Sequence, residues 1–156
     1  MKVLIRNRQR HRLLDKDKIN RSALNILSLA SPSSRESELS ILFVGDRAMR
    51  VLNRDYRGCD RSTDVLSFEA AVPVTEGEGA HIMGDIVISV PKAELQARAS
   101  GVEFHDEIIR LLIHGTLHLL GYDHEQSSCE ARKMSKKERE ISDALTKMDP
   151  ERQPRN

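Results

Sequence analysis

The stretch from residue 103 to residue 120 limits most strongly what this chain can fold into. It carries eight large aliphatic side chains on several faces of a helix: Ile108, Ile109, Leu111, Leu112, Ile113, Leu117, Leu119 and Leu120. A helix that is apolar on several faces must be covered by other elements on each of those faces. The sequence therefore predicts a buried central helix around which the rest of the chain is packed.

The segments around this helix predict a small sheet with further helices. Short runs of branched or alternating apolar residues indicate strands at about residues 2–7, 39–44, 64–70 and 84–90. Apolar periodicity and helix start signals indicate helices that begin at Asp15 or Asp17, at the Gly45-Asp46 turn, at Pro91 and at about Ser127. We expect the second of these helices to be short and to run through Met49 and Leu52. The predicted fold class is α+β, with a small mixed sheet of about four strands under helices and a zinc site on the buried central helix.

The length of the chain fits one domain. With 156 residues, folding can bury about two thirds of the surface that an extended chain exposes. We expect a single domain over residues 1–148 and a flexible tail over 149–156, with a loop at 31–37 and a mobile loop or hairpin at 71–81. Two cysteines, Cys59 and Cys129, are too few for a disulfide framework, so we expect free thiols.

The sequence gives no sign of a membrane or export segment. No apolar run approaches the roughly 20 residues of a membrane span. The first residues, MKVLIRNRQRHR, also lack the apolar stretch of a signal peptide. We therefore expect a cytoplasmic protein without a membrane partner.

Positive charge is concentrated at the start of the chain. Residues 1–21 hold eight Lys and Arg against two Asp, although the formal net charge of the whole chain is only +1. Aromatic residues make up 3% of the chain, so bases have few rings to stack on and any nucleic acid would be held mainly by charge. Arg6, Arg8 and Arg10 are therefore candidate RNA contacts, and a solvated edge strand is the alternative. A second basic group at residues 132–139 is interleaved with glutamates, as on an ordinary solvated helix face.

Three histidines at the end of the buried helix form the most informative motif. His114 and His118 are four residues apart, which places both rings on one face of a helix. Gly121 can adopt the left-handed conformation that ends a helix, so that the chain turns and brings His124 to the same point. Burying three imidazoles without a metal would cost several kcal/mol of desolvation free energy. The sequence therefore predicts a metal site made of His114, His118 and His124.

This set of ligands is typical of a catalytic metal. Neutral nitrogen ligands favour Zn²⁺, although ligand type alone also allows Ni²⁺ or Cu²⁺. Three protein ligands leave a fourth position for water, whose pKa a zinc ion lowers toward about 7. Asp123 is a candidate for orienting a ligand, and capping of the turn is its alternative role. Asp85 is a candidate general base, and a turn residue at the start of a strand is the alternative there.

The histidine spacing also matches the zinc peptidase pattern H-E-x-x-H-x-x-G-x-x-H, with one departure. Gly115 stands where that pattern has its general-base glutamate. Without a carboxylate beside the metal-bound water, peptide hydrolysis by this route has no proton acceptor. The departure therefore disfavours a peptidase.

Four blocks of the sequence together resemble the YbeY-type endoribonucleases, which are bacterial rRNA maturation factors. The blocks are LNRDYR at 52–57, STDVLSF at 62–68, MGDI at 83–86 and the histidine segment at 114–124. The resemblance implies an α+β fold and a single-strand-specific, metal-dependent endoribonuclease with one Zn²⁺ on the three histidines. It also implies trimming of the 3′ end of small-subunit (16S) rRNA, a role in ribosome quality control, and partners on the small ribosomal subunit, including ribosome-associated proteins.

The resemblance makes Arg57 and His114 the expected catalytic residues. Arg57 falls on the functionally important arginine of the family, and a guanidinium near the metal would hold a phosphate bidentately. Without the resemblance, Arg57 would be taken for a surface arginine. Ser62, Glu69 and Met83 depart from the usual residues of the family and affect local loop shape. Two alternatives stay open, a zinc hydrolase with a peptide or other substrate and a non-catalytic assembly factor in which zinc only stabilises the fold.

Overall fold

A computed structural model of the chain describes residues 1–31, 37–70 and 81–149. The elements within these ranges are β1 (Lys2–Arg8), α1 (Lys16–Ala30), β2 (Ser37–Val44), α2 (Asp46–Arg57), β3 (Val65–Glu69), β4 (His81–Ser89), α3 (Val90–Ser100), α4 (Phe104–Leu119) and α5 (Ser128–Met148). The predicted loops at 31–37 and 71–81 and the predicted tail fall largely on residues 32–36, 71–80 and 150–156, which lie outside the described residues.

The four strands form one mixed sheet in the order β1-β2-β4-β3. β1 pairs with β2 and β2 with β4 in parallel, whereas β3 runs antiparallel to β4. Both outer strands are edges, so β3 has one side that no described strand pairs with. The predicted α+β class with a small mixed sheet is confirmed.

Helix α4 is the buried centre of the fold, as its composition predicted. It packs against α1, α3, α5 and one face of the sheet. Its apolar side chains join those of the sheet, among them Ile41, Phe43 and Ile88, in one core. A smaller cluster of Val44, Met49, Leu66 and Val87 lies on the other face of the sheet, under α2.

The described structure differs from the sequence prediction in the lengths of two elements. α2 does not stop near Leu52 but continues to Arg57, because its last turn needs no burial and Gly58 ends it in the left-handed conformation with φ 69°. β4 begins at His81, three residues before the predicted start at Gly84. The first difference matters for the candidate site, because it places Arg57 at the end of a helix rather than in a loop.

Two smaller expectations are also settled. Both cysteines are free. None of the helices in the described ranges combines the length and the apolar character that crossing a bilayer requires.

Candidate active site

The last turns of α4 and the loop after it bring the three predicted ligands together. The ring centroids of His114 and His118 are 4.6 Å apart, and that of His124 lies 5.4 Å from the first and 5.2 Å from the second. One ring nitrogen of each histidine lies within 4.8 Å of the other two. The helix and the loop thus direct three imidazole nitrogens toward one point.

The turn that returns His124 depends on Gly121. At this residue φ is +95°, a conformation that a side chain would strain. The Gly121 N–H donates to the His118 carbonyl and the Tyr122 N–H to the Leu117 carbonyl, both at 3.0 Å, which is the paired bonding of a Schellman helix end. The predicted role of Gly121 is confirmed.

The Nε2 atoms of the two helical histidines face each other. His114 Nδ1 lies 3.2 Å from the Glu138 carboxylate, so it carries the proton and Nε2 is bare. His118 is hydrogen-bonded to the Tyr122 backbone, and its own Nε2 lies 3.1 Å from His114 Nε2. Two ligands of one tetrahedral zinc ion are about 3.3 Å apart, which is close to this distance. The histidines therefore fit a shared metal ion.

The electrostatic environment of His118 favours its neutral form, which is the form that binds a metal. Burial is the main cause that lowers the pKa of His118, and the neighbouring His114 and His124 lower it further, against the effect of Asp123. The hydrogen bond from His114 is the main cause that lowers the pKa of Glu138. A carboxylate that accepts a hydrogen bond from a histidine ligand fixes the orientation of the ring and raises its basicity toward a metal.

The histidines form one wall of an open cleft, and Arg57 and β3 form other parts of its lining. The cleft has a volume of about 530 Å³ and is also lined by Thr63, Asp64 and Ser67, a size typical of ligand sites. No side chain in the described ranges forms an ion pair with the Arg57 guanidinium. The carboxylates of Asp64, Glu69, Asp123 and Glu125 also line the cleft. It thus combines a metal-binding cluster with a guanidinium that no described side chain pairs with, and both can bind a phosphodiester.

Gly115 lies where α4 packs against the sheet. A Cβ placed there would be 3.1 Å from Ile86 and from Ser67 Oγ, and the Ser67 hydroxyl donates to the Gly115 carbonyl at 3.2 Å. A glutamate at this position would have to displace these side chains of the sheet. The geometry therefore agrees with the sequence argument against a peptidase of the H-E-x-x-H type.

Comparison with known proteins identifies the family. The family model described as Endoribonuclease YbeY matches residues 4–146 of this chain. The chain belongs to the YbeY endoribonuclease family. Endoribonuclease YbeY of Geobacter sulfurreducens is 42% identical over 143 residues, which cover 90% of this chain and 93% of the relative. Endoribonuclease YbeY of Aquifex aeolicus is 40% identical over 147 residues, with 94% and 93% covered.

A solved structure shares the fold. The solution structure of TM1509 from Thermotoga maritima superposes with a TM-score of 0.63 at 23% identity and covers 98% of this chain and 99% of its own.

The family model and the two relatives confirm, at the level of the family, the resemblance carried by the four sequence blocks. The protein is an endoribonuclease.

The two acidic residues predicted for the site of this YbeY endoribonuclease differ in their position relative to the cleft. Asp123 lines it and also accepts from the Glu125 N–H at 2.8 Å, so it caps the turn. Its negative charge also raises the pKa of His118. Asp85 is exposed and does not line the cleft. Its neighbours Gly84 and Ile86 face α4, and because side chains alternate along a strand, Asp85 faces the other side of the sheet. The structure does not bring Asp85 to the metal centre.

The three basic candidates at the N-terminus lie apart from the cleft. Arg6 and Arg8 belong to β1, at the edge of the sheet opposite to β3. Arg8 and Arg10 line a separate groove beside the first turns of α2. If these residues bind RNA, they do so at a distance from the histidines.

Glu138 is the site residue that sequence reasoning missed. The sequence placed it on a solvated face of the last helix, but it is only 27% exposed and contacts His114. A signal was present, because Glu138 lies on the same helical face as Met134, Ile141 and Leu145, which are the buried residues of α5. A carboxylate on the buried stripe of a helix needs a partner, and here the partner is a metal-ligand candidate.

We expect Glu138→Gln to weaken metal binding by about tenfold, because the neutral amide no longer favours the His114 tautomer or adds negative charge behind it. Competition with a chromophoric chelator measures the affinity. Glu140→Gln is the matched control, since Glu140 is 53% exposed and its only ion pair among the described residues is with Lys137 on the same helix. Equal affinity of the two variants would show that Glu138 does not orient the ligand.

Proposed function

We propose that this YbeY endoribonuclease cuts single-stranded RNA at the cleft between the three histidines and Arg57, and that its substrate is precursor rRNA of the small ribosomal subunit. The observation that carries the proposal is the convergence of three ring nitrogens, within 4.8 Å of one another, in a cleft that Arg57 also lines. The family supports the RNA substrate, and the ligand set supports a metal-dependent reaction.

The ligands favour Zn²⁺, which would supply a Lewis acid for a phosphoryl oxygen and a bound water that is acidic near neutral pH. His114, His118 and His124 would hold the ion, with Glu138 fixing the orientation of His114. Arg57 would bind the non-bridging phosphate oxygens and stabilise the negative charge that grows on them in the transition state. The chain thus contributes positioning and electrostatic stabilisation at the scissile phosphate.

The position of the histidines favours a single strand over a duplex. His114 is only 25% exposed, so a phosphate must enter the cleft to approach it. A single strand can place one phosphate there with its bases splayed apart, whereas the second strand of a duplex would meet the cleft walls. Trimming of the 3′ end of 16S rRNA, ribosome quality control and contacts with the small subunit and its proteins belong to the same proposal, as does a cytoplasmic location, where ribosomes mature.

The experiment that tests the proposed role of Arg57 compares cleavage of a single-stranded rRNA 3′ precursor by variants with measured metal content. We expect Arg57→Ala to lower kcat/KM by about 100-fold with unchanged metal content. Arg57→Lys should restore only part of the loss, because an ammonium cannot grip a phosphate bidentately. Arg61→Ala removes an exposed arginine that does not line the cleft and should retain activity. Equal activity of wild type and Arg57→Ala would refute the assigned role.

A further inference from the structure

Helix α2 carries a row of arginines on its exposed side. Arg47, Arg50, Arg54 and Arg57 follow one another at steps of three, four and three residues. At about 100° per residue they fall within roughly 80° of arc. All four are exposed. The row extends about 15 Å along the helix, with successive arginines about 4.5–6 Å apart in rise.

The two ends of this row lie at two different concave sites. Arg57 lines the histidine cleft. Arg47 lines the groove between α2 and the end of β1, together with Arg8 and Arg10. The lining of that groove also includes the apolar side chains of Leu42, Val44 and Val51. The row of arginines therefore connects the cleft with an apolar groove that has a cationic rim.

Most of the positive charge along this path is not neutralised by the described residues. The guanidinium groups of Arg8, Arg10, Arg47 and Arg57 form no ion pair with them. Arg50 pairs with Asp60 at 2.9 Å and Arg54 with Asp55 at 3.0 Å, and all four of these side chains are more than half exposed. Such pairs contribute little stability, so a phosphate can replace the carboxylate. One carboxylate lines the groove itself, that of Asp46, and it accepts from the hydroxyls of Ser62 and Ser89.

We propose that RNA flanking the cleavage site leaves the cleft along the arginine row of α2 and enters the groove beside β1. This inference rests on the proposed function, because it assumes that the scissile phosphate lies between the histidines and Arg57. The rise between successive arginines is close to the spacing of phosphates along an extended strand, and the apolar floor of the groove offers bases a surface that excludes water. A positively charged groove that tracks the backbone is shared by proteins that bind single strands without sequence preference.

A second basic surface, on α5, lies outside this path. Arg132 and Lys136 of α5 are exposed and form no ion pair with described residues, but they line neither the cleft nor the groove. A non-specific attraction between RNA and positive charge would treat the two sets alike. A defined path requires that only the arginines of α2 and β1 matter.

The test uses the variant Arg8→Ala/Arg47→Ala and the control Arg132→Ala/Lys136→Ala, which removes the same charge elsewhere. Each protein binds fluorescent 2′-O-methyl oligoribonucleotides, followed by anisotropy, and cleaves the matching RNA. Short oligonucleotides have about two nucleotides on each side of the cut and long ones about eight, a difference that spans the site sizes of single-strand binders.

For the long oligonucleotide, we expect the path variant to bind about tenfold more weakly than wild type and to lose about 1.4 from the slope of log affinity against log salt, as two lost phosphate contacts predict. The control should bind as wild type does. For the short oligonucleotide, kcat/KM should be the same in all three proteins, because the cleft is intact.

Two outcomes would overturn the path. In one, path variant and control lose equal affinity for the long oligonucleotide, which would mean non-specific attraction. In the other, the path variant binds the long oligonucleotide as wild type does, which would assign the groove to another occupant, such as an acidic protein segment. Failure of wild type to cleave even the short RNA would instead contradict the proposed function, so the two failures are distinguishable.

Discussion

Replacing His118 with alanine is expected to lower cleavage of single-stranded rRNA precursor by at least about a thousandfold, equivalent to about 4 kcal/mol of transition-state stabilisation. Its Nε2 lies only 3.1 Å from His114 Nε2, and its loss leaves one ligand on α4 and one on the loop after it. We also expect bound metal to fall well below one ion per chain. Single-turnover cleavage and elemental analysis of the same sample measure the two effects.

His105→Ala is the control for this experiment. His105 belongs to the first turn of the same helix, α4, and its Nε2 lies 3.4 Å from the Ser22 hydroxyl, far from the cleft. The control should keep its metal and its activity. If wild type and His118→Ala cleaved the RNA equally well, the activity would come from a contaminating nuclease. Catalysis at the histidines would then have no support.

Gly84→Ala is expected to lower the free energy of unfolding by about 4 kcal/mol and the melting temperature by roughly 8–16 °C. A Cβ at this position would lie 2.1 Å from the backbone oxygen of Phe68 and 3.1 Å from the Leu119 side chain, and φ is +139°. Neither the strand pairing nor the end of α4 can accommodate the methyl group without a shift. Thermal and denaturant unfolding measure the loss.

Gly45→Ala provides the matched control for the same change of side chain. Gly45 precedes α2, its φ is −80°, and a Cβ there would meet nothing within 4 Å. We expect a change within about 1 kcal/mol. If Gly84→Ala were as stable as Gly45→Ala, β3 and β4 could not approach each other at Gly84 as closely as described.

The central features of the fold and site could be predicted because they depend on local patterns. Apolar residues on several faces marked α4 as buried, since a helix of that kind has no solvent face to offer. The spacing of His114, His118 and Gly121 predicted convergence, because helix periodicity and the helix-ending turn are set by neighbouring residues. The side chain of Asp15 caps α1, and Asp15 is one of the two residues at which the sequence predicted that this helix begins.

The features that sequence reasoning did not find depend on contacts between distant segments. Glu138 lies 24 residues beyond His114, and only the packing of α5 on α4 brings the two together. Asp85, the candidate general base, is a carboxylate in an apolar strand, but the side of the sheet it faces follows from the register of β4, which a single strand does not reveal. The extension of α2 to Arg57 was missed because its last turn is polar and exposed, so no apolar period marks it.

X-ray absorption at the zinc edge, with elemental analysis of the same zinc-loaded protein, tests the central claim most directly. The account predicts one ion per chain, bound by three imidazole nitrogens at about 2.0–2.1 Å and one exchangeable oxygen. A sulfur ligand, a fourth side-chain ligand that closes the coordination sphere, or protein that retains no zinc would contradict it.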